Sequence, residues 1–149
     1  MAATPVLWPT ALAAGVTSIT GTDSAFAALK DSGEVVTWGV AQDGGDSSAV
    51  ADRLAAGMTC ITSNRSAFTA LKDSGEVVTW GEIRHGGDSS TVADRLAAGV
   101  TSIVISITGN GSAFAVLKDA GEVVAWGYAH FGGDSSEVAD RLAVGVTSI

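Results

Sequence analysis

The chain has 149 residues, 46% of them hydrophobic and 16% charged, with 19 glycines against only 2 prolines. That composition excludes a disordered or collagen-like chain and points to a globular domain with many tight turns. The net charge of −8 opposes approach to phosphate backbones, so nucleic acid is not an expected partner.

From Met1 to Ala14 no positive residue precedes the short apolar patch of Val6, Leu7 and Trp8, so no secretory signal is expected and a cytoplasmic setting is. No apolar run approaches the about eighteen residues that a membrane helix needs, and no membrane partner is expected. Residues 1–23 read as a lead-in whose last part, Thr10–Ile19, has the sequence TALAAGVTSI.

The first repeat core, residues 24–65, opens with SAFAALKDSGEVVTWG over Ser24–Gly39. Two six-residue runs flank Asp-Ser-Gly, and their β-branched and aromatic residues favour strands. The pattern predicts a strand over Ala25–Lys30, a turn over Asp31–Gly33 and a strand over Glu34–Trp38. Gly33 supplies the left-handed conformation of a tight hairpin. Phe26, Leu29, Val36 and Trp38 are the expected packing residues.

GGDSSAVADRLAAG follows. Its glycine pair ends the strand, Asp46 or Ser47 can cap free backbone amides, and Val50 and Leu54 share one helical face. A short helix is expected over Ser48–Ala56, stopped by Gly57 and stable only if docked. A β-branched strand of the GVTSI type then closes a unit of strand, strand, short helix and strand. Cys60, the one cysteine, stands where other copies have Ser18, Ser102 and Ser148. It has no internal disulfide partner and reads as a small buried residue.

The same order recurs in repeat cores 66–111 and 112–149, with hairpins at Ala67–Trp80 and Ala113–Trp126. The interval from Trp80 to Trp126 is four residues longer than that from Trp38 to Trp80. The extra residues align best at Val104–Ile107, which predicts a third strand lengthened through Ile103–Ile107 by about 13 Å. Such an apolar edge needs a partner or becomes a surface for self-association. The chain ends on Gly145–Ile149, so it holds three hairpins but four copies of GVTSI. The duplicated ends fit end-to-end closure or a boundary within a longer array. Residues 1–149 are read as a single repeat domain, mainly β.

At LKDSGEVVTWG the sequence resembles the RCC1-like (regulator of chromosome condensation) repeat β-propeller family. Ala28-Leu29, Ala70-Leu71 and Val116-Leu117 match its Ala-Leu pair. Gly33, Gly75 and Gly121 match its turn glycine, Val35, Val77 and Val123 its strand, and Trp38-Gly39, Trp80-Gly81 and Trp126-Gly127 its closing pair. Ala25, Ala67 and Ala113 stand where the family has histidine, and GGDSS replaces its Gly-Gln-Leu-Gly. The resemblance implies propeller blades acting as an interaction platform, whereas the exchange and chromatin activities of the founding member are not carried over. Three units are fewer than a propeller ring uses. They form a partial propeller, a ring closed by a second chain, a piece of a longer array, or an open or threefold domain.

Three copies of Asp46-Ser47-Ser48 lack the lysine of a phosphate loop and the spaced acids of a calcium loop, so neither cofactor nor metal is expected. His85 and His130 fall at non-equivalent repeat positions, and no serine has a nucleophile context, so no catalytic residue is assigned and an enzyme is not expected. What differs between matched units is two loop sets. One comprises Val40–Asp43, Glu82–His85 and Tyr128–Phe131; the other Gly21–Asp23, Ser63–Arg65 and Gly109–Gly111. Variation confined to loops on a repeated frame marks candidate recognition sites. The candidates are Gln42, Asp43, Arg84, His85, Tyr128, His130 and Phe131. The expected function is a non-enzymatic protein-interaction scaffold for a protein or peptide partner. Alternatives are a self-assembling structural repeat, with a homo-oligomer or longer array as its form, and a small-ligand or sugar-binding domain resting on the tryptophans.

Overall fold

The computed structural model describes residues 14–105 and 111–149. They form three three-stranded antiparallel sheets, each a meander. The first sheet holds β1 (Val16–Gly21), β2 (Ala25–Lys30) and β3 (Val35–Gly39). The second holds β4 (Met58–Ser63), β5 (Ala67–Lys72) and β6 (Val77–Gly81), and the third β7 (Val100–Ile105), β8 (Ala113–Lys118) and β9 (Val123–Gly127). The hairpins fall where the sequence places them, except that each closing strand begins one residue later. The turn glycines Gly33, Gly75 and Gly121 have φ of 78°, 82° and 78°, as a tight hairpin requires.

The GVTSI strand does not close the unit before it. It pairs with the hairpin that follows, so Val16, Ser18 and Ile19 face Lys30, Leu29 and Ala28 across the sheet. The register skips at Thr17, Thr59 and Thr101. Each of these threonines donates its hydroxyl to a leucine carbonyl on the second strand, at 3.1, 3.0 and 3.1 Å. The Thr of the motif thus satisfies a backbone acceptor at a β-bulge. The fourth copy, residues 145–149, forms no strand.

The expected helix over Ser48–Ala56 is shorter and broken. A 3₁₀ turn at Ser48–Val50 leads into a single α turn, α1 (Ala51–Leu54), and Val50 at the junction lies outside helical geometry at φ −120°, ψ 14°. α2 (Ala93–Leu96) and α3 (Ala139–Leu142) repeat this. Nine residues with only two apolar anchors cannot hold a longer isolated helix. The DSS segment behaves as a cap: the Asp46 carboxylate accepts from the Ser48 N–H at 2.9 Å. Ser47 and Thr37 share a hydroxyl hydrogen bond of 2.8 Å.

The core lies between sheets. Ala25, Ala27, Leu29 and Val35 of the first sheet meet Phe68, Ala70, Val78 and Trp80 of the second, with Leu54 from α1 and Met58 from β4. Ala67, Leu71 and Val77 meet Phe114, Val116, Val124 and Trp126 in the same way, with Leu96 and Val100. Each sheet therefore presents a small, flat face behind and an aromatic face in front. In every sheet a Phe pairs across strands with a Trp and stacks on it, with ring centroids 5.5, 5.2 and 5.6 Å apart.

Two expectations of burial are corrected. Phe68 and Phe114 are 0% and 1% exposed, but Phe26 is 47% exposed, and Val36 and Trp38 are only half-buried, because no described sheet packs on the front of the first. Cys60 is exposed, on the outer face of β4. Of the strand predicted to lengthen through Ile103–Ile107, β7 is described as far as Ile105, which pairs with Phe114 where β4 pairs Ser63 with Phe68; the rest of the predicted extension, residues 106 and 107, lies outside the described residues.

Candidate functional site

Each closing strand runs out of the sheet into a 3₁₀ turn: Ala41–Asp43, Ile83–His85 and Ala129–Phe131. The turns are pinned by their own backbones. The amides of Gly44 and Gly45 donate to the carbonyls of Ala41 and Val40 at 3.2 and 2.9 Å, with the same pattern after β6 and β9. The loop joining the first two strands of a sheet lies at the same sheet end and braces the turn from below. Thr22 donates its hydroxyl to the Asp43 carbonyl at 3.1 Å, and the Asn64 amide donates to the His85 carbonyl at 2.5 Å.

The two loop sets thus divide their work. The residues of the lower set are tied to one another across units: the Asp23 amide donates to the Arg65 carbonyl, the Arg65 amide to the Gly111 carbonyl, and the Ser63 hydroxyl to the Gly21 carbonyl. Residues 109 and 110 of that set lie outside the described part. The upper set keeps its apex side chains exposed on a fixed backbone. Gln42, Arg84 and His130 occupy the same apex position in the three turns and all are exposed. Asp43, His85 and Phe131 follow them, the first two half-buried and Phe131 exposed. Tyr128 is half-buried and packs beside His130 and Phe131, with centroids 5.9 and 5.4 Å apart. In the middle unit Glu82 accepts from the His85 amide at 3.0 Å, which locks that turn from its own side chain.

All seven candidates therefore sit in one row along one edge. The row also contains Ile83, exposed at 68%, which motif reasoning missed. Its signal was a large apolar residue where the other turns have Ala41 and Ala129. Between successive turns the edge is grooved. A cleft of about 380 Å³ is lined by Gln42, Glu82 and Ile83. A second, of about 520 Å³, runs from Ile83 and Arg84 past Arg95 to Trp126 and Asp134. Acidic Asp88 and Asp134 stand beside this second groove, and their carboxylates are held below the ordinary range by hydrogen bonds from Ser90 and Ser136. The floor thus carries fixed charge of both signs. Among the described residues no group of three His, Cys, Asp or Glu side chains converges as metal ligands would. No helix among them is long and apolar enough to cross a membrane.

No family model and no curated protein matches the chain. Among solved structures it is similar to human WBSCR16, with a TM-score of 0.50 and 19% identity. The similarity covers 76% of this chain and 33% of that one, so the chain spans about a third of the structure it matches. At that identity the likeness concerns the fold.

Proposed function

We propose that the chain is a non-enzymatic protein-interaction scaffold built of RCC1-like propeller blades, reading a protein or peptide partner along the row of 3₁₀ turns. The observation that carries this reading is a near-invariant frame with diverse side chains at one edge. Gln42, Arg84 and His130 share one backbone position and differ in charge and hydrogen-bonding capacity, and apolar Ile83 and Phe131 lie between them. Grooves of a few hundred Å³ between rigid turns suit alternate side chains of an extended segment better than one compact ligand. The three repeated three-stranded meanders, similar in fold to a third of WBSCR16, support the blade assignment. Trp80 and Trp126 are buried, stack on phenylalanine and donate to backbone carbonyls, so among the described tryptophans only half-buried Trp38 is left to the sugar-binding alternative.

The test makes the turns uniform. Replacing Ile83-Arg84-His85 and Ala129-His130-Phe131 by Ala-Gln-Asp leaves the frame intact, and the melting temperature is expected to stay close to that of the parent. Photo-crosslinkers placed at positions 42, 84 and 130 are expected to capture a common partner that the uniform variant no longer binds. Capture unchanged by the replacement would refute the reading.

A further inference from the structure

The two ends of the sheet stack carry the two halves of an interface that the molecule builds twice within itself. Within the chain, a front face docks on a rear face through four recurring contacts. The Phe ring sits over a glycine: a side chain on Gly86 would come within 2.7 Å of Phe114, and one on Gly44 would collide with Phe68. The Trp indole donates to that glycine's carbonyl, from Trp80 to Gly44 and from Trp126 to Gly86, both at 3.1 Å. An arginine of the short helix grips the next hairpin. Arg53 bonds Glu76 and the Val77 carbonyl, and Arg95 bonds Glu122 and the Val123 carbonyl. Finally the helix leucine, Leu54 or Leu96, is buried under the next sheet.

Each contact has one unmatched half at either end. In front, Phe26 is half-exposed, Val16 and Ile19 beside it are exposed, and the Trp38 indole makes no hydrogen bond among the described residues. Glu34 is paired only with Lys30, whereas its counterparts also hold an arginine. Behind, Gly132 has nothing within 4 Å of where a side chain would stand, Leu142 is only half-buried, and Arg141 has no ion pair among the described residues. The halves correspond residue for residue: Phe26 to Gly132, Trp38 to the Gly132 carbonyl, Glu34 to Arg141, and Val16 and Ile19 to Leu142.

We infer that the rear face at Gly132, Arg141 and Leu142 binds the front face at Phe26, Glu34 and Trp38 of a second copy of this chain, head to tail. This goes beyond the interaction reading, since it uses the two ends of the stack and leaves the edge of turns free. The interface continues, in kind and composition, the two internal ones, and its charge pair has the correct signs. It is heterologous, so its repetition closes into a ring when the rotations permit and extends otherwise. The position of the leading strand also finds an occupant. The Val146 amide already donates to the Gly121 carbonyl, as Met58 does to Gly33 and Val100 to Gly75. Residues 145–149 therefore stand where the next sheet's first strand begins. They repeat Gly15–Ile19 residue for residue and give up this position to β1 of the incoming copy, which stays paired with its own β2.

Sedimentation of the full chain from micromolar to millimolar concentration tests this against the monomer mass of 14.8 kDa. The parent is expected to gain mass with concentration. Phe26→Asp and Leu142→Asp, at sites that are already solvent-accessible, are each expected to weaken association at least about 30-fold, the loss typical of an interface anchor. Circular dichroism checks that both remain folded. Mixed together they retain one good face each and are expected to form a 1:1 complex at millimolar concentration. A parent that stays monomeric overturns the inference. So does association by Leu142→Asp alone, which would mean front-to-front pairing, or a mixture that never associates. Glu34→Arg with Arg141→Glu in one chain restores the pair in reversed sense; weaker association there than in either single reversal would also count against it. The uniform-turn variant associates like the parent, which separates this result from the fate of the interaction reading.

Discussion

Gly44, Gly86 and Gly132 share one left-handed backbone conformation, with φ of 102°, 99° and 97°, but not one environment. A methyl at Gly86 would press on the buried ring of Phe114, whereas at Gly132 it would meet open space. Gly132→Ala is expected to cost about 1–2 kcal/mol, the penalty of the left-handed region alone. Gly86→Ala adds the overpacking of a closed core, for a total of about 2–5 kcal/mol. Urea unfolding of the two variants, at a concentration where the chain is monomeric, measures the difference. The cap aspartates make a second residue-scale case. Hydrogen bonds from Ser48, Ser90 and Ser136 hold the carboxyls of Asp46, Asp88 and Asp134 below the ordinary aspartate range. A depressed folded value means that the contribution is present above the unfolded value and disappears as pH falls through the folded one. Acid sensitivity from these caps is therefore expected below about pH 4. Asp88→Asn keeps an acceptor for the Ser90 amide but lacks the charge, so it is expected to lower the neutral-pH melting temperature slightly and to remove that site's share of the acid response; Asp88→Ala also loses the acceptor and lowers the neutral-pH value further. Thermal melts from pH 2 to pH 7 make the comparison.

The short helices show how an element this small persists. α1 and α2 are single turns, below the length at which a helix is stable alone. They survive because Leu54 and Leu96 are buried beneath the following sheet, and because Arg53 and Arg95 tie them to its hairpin. α3 has the same ADRL sequence but is covered by no described sheet. Leu96→Ala is expected to destabilise by about 2–4 kcal/mol, and Leu142→Ala, half-buried and able to relax into solvent, by less than about 1.5 kcal/mol. Chemical unfolding of the monomer tests both; equal losses would show that the helices dock independently of the next sheet. The hairpins were legible as elements because strand residues and turn glycine coincide in each copy. The helix was overextended because Val50 and Leu54 at i and i+4 satisfy one helical face whether the chain makes one turn or three.

Across the whole molecule, stability follows position in the stack. The second sheet is covered on both faces and the outer two on one, so nearest-neighbour coupling is greatest in the middle. Amide hydrogen exchange is expected to be slowest in β5 and faster in β2 and β8, and the spread is expected to narrow at concentrations where copies associate. Uniform protection in the dilute chain would contradict it. The sequence alone was enough to establish the repeat, the hairpins and the turn residues, because these depend on local propensity and on comparing copies within one chain; it left the cap open between Asp46 and Ser47, and the Ser48 amide chooses Asp46. It placed the GVTSI strand beside the wrong hairpin, since both neighbours in the chain offer equally good partners. It made Cys60 buried and Phe26 a core residue, since like residues read alike wherever they fall. Which sheet a strand joins and which aromatic face is covered are settled by the partner across the interface, and only the folded stack supplies that partner: Phe68 and Phe114 have one, Phe26 does not, and the same side chain is core or surface accordingly.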